Sequence, residues 1–146
     1  SSRLFKQLRA QQGLAYQVGS SFAANVNKGI FALYIGTNPS TAQHSKNELL
    51  KQINILKREF VSDKELKEAK DKILGNFILS QETNMEKAST LGWFEISGRG
   101  YNYINEFPQL IKSVTATDII RVANKYFEKP YVTTIVAPQS CLKTIK

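Results

Sequence analysis

The chain is poor in the residues on which most self-contained catalytic sites depend. It has one histidine, His44, and one cysteine, Cys141, in 146 residues. A single histidine excludes a catalytic or zinc-binding histidine pair within one chain. A single cysteine excludes an internal disulfide framework. Cys141 sits in a polar tail, where nothing marks it as a nucleophile. There is no G-x-G-x-x-G and no Walker loop. Gly92, Gly98 and Gly100 are spread around a helix end and form no phosphate cradle. No apolar run approaches the ~20 residues of a membrane span. The opening Ser1-Ser2-Arg3-Leu4-Phe5 turns polar at once and is not a signal peptide. It has no initiator Met, so the expectation is a natural N-terminus further upstream.

What remains is an ordinary globular composition. Apolar residues make up 42% and charged residues 22%, enough for a folded core. The length fits one domain, residues 1–146, able to bury roughly two-thirds of its extended surface. The net charge of +8 raises the possibility of nucleic acid. However, the lysines are scattered and mixed with Glu and Asp through residues 46–72, the pattern of a solvated helix face. Neither a nucleic-acid nor a membrane partner is expected. The acidic pairs Asp63/Glu65 and Glu65/Glu68 read as surface charge on basic helices.

Local patterns set the order of elements. Arg3 to Gln12 reads as a short helix with Leu4, Phe5 and Leu8 on one side, capped by Ser1 or Ser2 and ended by Gly13. Leu14 to Ala24 and Ile30 to Gly36 read as strands joined through the turn Asn25-Val26-Asn27-Lys28-Gly29. The apolar second strand is expected to be central in a sheet. Asn38-Pro39 opens a helix carrying Leu49, Leu50, Ile53, Leu56 and Phe60. Ser62-Asp63-Lys64-Glu65 is a capping box opening a helix with Leu66, Ala69, Ile73 and Phe77 along one stripe. A third helix runs from about Asn84 to Ser97, with Trp93 and Phe94 assigned to the core. Tyr101 to Lys112 is partly helical, and Pro108 either starts a turn or bends one. Thr115 and Asp118 start another helix, and Val132 to Val136 is a closing strand.

Strands segregated from helices indicate an α+β fold, a mainly antiparallel sheet packed against several helices. Three strands are few for this much helix, so at least one further strand is expected outside the chain.

The stretch KQLRAQQGLAYQV raises a separate question. Arg9 and Tyr16 lie on either side of the junction where helix gives way to strand. Arg9 is near a helix C-terminus, which favours any cation. Tyr16 alternates with Leu14 and Val18, so it fits the inner face of a strand. Both also supply donors suited to a substrate. The residues alone leave the two readings open.

SSRLFKQLRAQQGLAYQV resembles a signature of the pitrilysin/insulinase family of zinc metallopeptidases, the inverzincins, which include the mitochondrial processing peptidases. LGWFEISGRG (Leu91 to Gly100) is similar to the family's leucine-glycine helix and glycine-rich bend. SVTATDIIRVANKYFEKPYVTTIVAP (Ser113 to Pro138) is similar to its closing helix and strand. Three separated segments agree in order and spacing, and the resemblance covers nearly the whole chain.

The resemblance implies the metal-free half of a two-half peptidase that closes around an unfolded peptide. The other half, an N-terminal domain or a partner subunit, would carry H-x-x-E-H and zinc. This chain has no such motif and would bind no cofactor itself. It would be a C-terminal fragment lacking the half's first strand and helix, inactive alone. Arg9 and Tyr16 match the family's R-x(6)-Y and would reach across the cleft to substrate. An exposed strand edge is also expected to drive self-association of the fragment. The alternative is a non-catalytic scaffold subunit of the same fold, like core subunits of respiratory complexes. The compartment is not encoded in any recognisable signal.

Overall fold

The computed structural model describes residues 2–24, 28–128 and 130–142, the side chain of Leu142 excepted. Expected features on Ser1 and on Asn25–Asn27 lie outside the described residues. The fold is α+β, with a two-stranded antiparallel sheet among helices. The chain divides into two compact units. No helix of the described residues is long and apolar enough to cross a membrane.

The first unit comprises Ser1–Ala23, Ile30–Glu59 and Ile120–Lys146. It opens with a π-helix, Phe5–Gln11, started by Ser2, whose Oγ accepts the Phe5 N–H at 3.3 Å. Strands β1 (Gln17–Ala24) and β2 (Gly29–Gly36) form the expected hairpin. A 3₁₀ turn, Pro39–Thr41, leads into α1 (Ala42–Arg58); Asn38 caps the turn by accepting the Ser40 N–H. The Asn-Pro pair thus does what its chemistry favours, a cap followed by a residue with no N–H to satisfy. Both the π-helix and the 3₁₀ turn pack on α1. Buried here are Leu8, Ala15, Leu49 and Ala123, with the polar Ser45 and Gln52. The Phe31 and Phe127 rings meet at 4.9 Å, and Asn124 donates to the Lys57 carbonyl at 2.9 Å.

Two expectations fail in this unit. Val132–Val136 is not a strand: it pairs with neither β1 nor β2, and Val132 and Val136 are 92% and 96% exposed. β-branched composition favours a ladder but cannot supply the partner strand that a ladder requires. Nor is β2 flanked on both sides; among the described residues its one neighbour is β1.

The second unit comprises Ala24–Gly29 and Phe60–Ile119. Helices α2 (Asp63–Leu79) and α3 (Asn84–Ile96) begin at Ser62 and Thr83, whose side chains accept the N–H groups of Glu65 and Glu86. At Thr83 the Glu86 carboxylate also accepts the Thr83 N–H at 2.9 Å, which completes a capping box there. Pro108 lies inside α4 (Tyr103–Ser113). Thr115 and Asp118 exchange the bonds that start α5 (Ala116–Phe127). A four-residue helix, α6 (Gln139–Leu142), falls in the first unit.

Helix α4 packs on both α2 and α3. The contacts are aromatic: Phe77 on Phe107 at 4.6 Å and Phe94 edge-on to Tyr103 at 5.0 Å. Trp93, expected in the core, is 47% exposed, because the adjacent Phe94 is the residue of α3 that meets the Tyr103 ring. The inner stripe of α2 is also rotated from expectation. Leu66, Lys70, Leu74 and Phe77 are half-buried, while Ala69 and Ile73 are exposed. Lys70 is accommodated because its ammonium donates to the Lys112 carbonyl at 2.7 Å.

Candidate functional site

The helix–strand junction of the first unit carries both Arg9 and Tyr16. The π-helix ends at Gly13, whose φ of 63° is the left-handed conformation glycine adopts without strain. The closing bonds are the Gly13 N–H to the Arg9 carbonyl at 3.1 Å and the Leu14 N–H to the Leu8 carbonyl at 2.9 Å. They satisfy carbonyls that a helix end leaves open. Leu8 is fully buried and anchors the turn from below.

Arg9 is exposed, and its guanidinium lies 5.1 Å from the centre of the Phe5 ring, one turn back. Among the described residues it has no carboxylate partner, so its five donors remain available. Tyr16 is 71% exposed. Its N–H donates to the Gly36 carbonyl at 3.0 Å, so it is the residue at which the chain joins the hairpin. Its ring lies against the Gly36 backbone. Its hydroxyl has no hydrogen-bond partner among the described residues. No hydrogen bond joins the Arg9 and Tyr16 side chains. Both are presented to the outside from the two ends of one turn.

Three further residues, none of them prominent in the sequence, hold that turn. Thr37 Oγ1 donates to the Leu14 carbonyl at 2.6 Å. It also lies 2.8 Å from Thr41 Oγ1 and 3.1 Å from Ser45 Oγ, which is wholly buried. Gln12 Nε2 donates to Glu48 Oε2 at 3.1 Å, tying the helix end to α1. The Gln12 amide, aided by Lys51 at 3.3 Å, holds the Glu48 carboxyl below the ordinary range for glutamate against a smaller opposing effect of burial. Gln12 is therefore a tether between the helix end and α1.

Elsewhere the chemistry is spare. His44 is exposed on α1. Among the described residues no group of three His, Cys, Asp or Glu side chains is placed to hold a metal ion. A hollow of about 340 Å³ between α2 and α4 is lined by Leu66, Lys70, Leu74 and Lys112, among others. Two of its lysines are already committed, Lys67 to Asp71 at 2.6 Å and Lys70 to the Lys112 carbonyl.

Residues 1–73 match the family model described as the peptidase M16 inactive domain. The chain is 28% identical over 138 residues to the uncharacterized zinc protease YmxG of Bacillus subtilis, covering 94% of this chain and 34% of that protein. It is 31% identical over 138 residues to an uncharacterized zinc protease of Rickettsia felis, covering 94% and 33%. The chain thus spans about a third of the length of the curated relatives it matches. Among solved structures, a protease from Helicobacter pylori aligns with a TM-score of 0.78 at 24% identity, over 87% of this chain and 31% of that one. A peptidase M16 inactive domain from Pseudomonas fluorescens aligns with a TM-score of 0.74 at 23% identity, over 85% and 29%. These two likenesses establish the fold.

Proposed function

The chain belongs to the peptidase M16 family, and from that premise we propose that it is the substrate-binding, metal-free half of a zinc-dependent endopeptidase. The observation that carries the proposal is the junction itself: a guanidinium and a phenol, both exposed and both without polar partners among the described residues, at the ends of a turn clamped at Gln12, Leu14 and Tyr16. Unpaired donors on a rigid turn are suited to receiving something from outside.

The zinc belongs to another half, in the same polypeptide or in a partner subunit. The residues here do not fit it, since the chain has a single histidine and no metal-holding group among its described residues. What this chain contributes is positioning. The planar fork of Arg9 suits a peptide carbonyl or carboxylate, which it can fix with parallel donors. The Tyr16 O–H can donate to an oxygen on which negative charge develops during acyl transfer. The substrate is an unfolded peptide segment enclosed between the two halves, and the chain folds for that purpose as one C-terminal half.

The test is a peptide-cleavage assay on the complete enzyme, with zinc content measured in parallel. Chelator-sensitive cleavage that collapses in Arg9→Ala while zinc content is unchanged is the expected result. Cleavage at the wild-type rate in Arg9→Ala and in Tyr16→Phe removes the substrate-contact role.

A further inference from the structure

We infer that Gly36 is a positioning residue that sets where the Tyr16 hydroxyl stands, an inference that rests on the substrate-contact role proposed above for Tyr16. The phenol has no hydrogen-bond partner among the described residues and is 71% exposed, so no polar group among them orients it. What it touches is Gly36. A β-carbon there would overlap the Tyr16 ring at Cε2 and Cζ and stand 2.9 Å from its hydroxyl oxygen.

The backbone does not call for glycine at this position. Positive φ occurs at Gly13, Gly98 and Gly100, and not at Gly36. Alanine is therefore compatible with the strand, and the obstacle to it is the ring. Gly36 grips the same residue twice, since its carbonyl also accepts the Tyr16 N–H at 3.0 Å. Main chain and side chain of Tyr16 are thus referenced to one point on β2, and the next residue, Thr37, holds Leu14. A tyrosine lodged on a glycine loses rotameric freedom without burying its hydroxyl.

The hairpin contains its own control. Gly19 lies beneath the Tyr34 ring, so a β-carbon there would stand 2.7 Å from Tyr34 Cζ and 3.1 Å from Cε1. Gly19→Ala imposes a comparable crowding on the same hairpin without touching Tyr16.

The experiment is a mutant cycle in the complete enzyme. Gly36→Ala pushes the phenol aside by the width of a methyl group, and a misplacement on the order of 1 Å can cost ~100-fold in rate. We expect kcat to fall roughly 10- to 100-fold, with KM and zinc content unchanged, and Gly19→Ala to turn over as wild type. Because the effect passes through the hydroxyl, Gly36→Ala should cost nothing more once Tyr16→Phe is present. Additive losses, or a Gly36→Ala enzyme as fast as wild type, overturn the inference and leave the role of Tyr16 standing. Wild-type turnover in Tyr16→Phe removes that role and the inference with it. If Gly36→Ala is too unstable to assay, Tyr16→Ala in the same chain should restore the melting temperature by vacating the space. A double variant as unstable as Gly36→Ala alone overturns the inference.

Discussion

Thr37 donates its hydroxyl to the main-chain carbonyl of Leu14 at 2.6 Å, across a sequence gap of 23 residues. The bond fastens the turn between Arg9 and Tyr16 to the end of β2. The same oxygen meets Thr41 and the buried Ser45. Thr37→Val keeps the shape and removes the polar atom, leaving the Leu14 carbonyl and the Ser45 hydroxyl without this partner. A loss of about 1–3 kcal/mol in unfolding free energy is expected, while Thr37→Ser retains most of the stability. Denaturant melts of the three proteins give the answer, and a Thr37→Val protein as stable as wild type rejects the clamp.

Tyr16→Phe keeps the ring and its seat on Gly36 and deletes one O–H. That O–H has no hydrogen-bond partner among the described residues, so stability should not change. If the phenol donates to a developing oxyanion, turnover should drop about 100- to 1,000-fold. Arg9→Lys makes a different distinction. It preserves the charge and loses the two-pronged fork, so it should fall between wild type and Arg9→Ala if the guanidinium binds a carbonyl bidentately. Lys equal to Arg would mean that only charge matters.

Glu48 makes the tether sensitive to acid. Its carboxyl is held below the ordinary value for glutamate, first by the Gln12 amide and then by Lys51. A depressed folded-state pKa contributes stability above the unfolded pKa, and that contribution is lost as pH falls through the folded value. The stability gap between wild type and Glu48→Gln should therefore be largest near neutral pH and shrink on acidification into the carboxylate range. A gap that does not change with pH would show that the Gln12–Glu48 bond does not depend on ionisation.

Much of this architecture was legible because it is local. The helix starts at Asn38, Ser62 and Thr115 were read from capping chemistry that acts over three residues, and the hairpin from two apolar runs flanking a turn. What escaped depends on partners far away in sequence. Val132–Val136 has the composition of a strand but no ladder to join. Lys70 turns inward because a carbonyl 42 residues away receives its ammonium, which no hydropathy stripe encodes. The N-terminal segment shows apolar spacing that suits an α-helix, and the wider π geometry does not alter that spacing enough to be read. At the candidate site, Arg9 and Tyr16 were recognisable through resemblance to a family signature. Gly36 and Thr37 were not, since a glycine and a threonine ending an apolar run look like an ordinary strand exit.

Gly13 offers the cleanest separation of backbone from packing. Its φ of 63° lies in the left-handed region, yet among the described residues no atom beyond its own neighbours along the chain stands within 4 Å of where a side chain would begin. Any penalty for replacing it must then come from conformation and not from collision. The left-handed conformation costs roughly 1–2 kcal/mol for an ordinary L-residue and less for asparagine. Stability should therefore rank Gly, then Asn, then Ala, with the β-branched Val lowest. Because this turn carries both Arg9 and Tyr16, turnover in the complete enzyme should follow the same order. If Ala and Val prove as stable as Gly, the left-handed turn does not persist in solution, and the spatial relation between the two side chains would have to be set by something other than this junction.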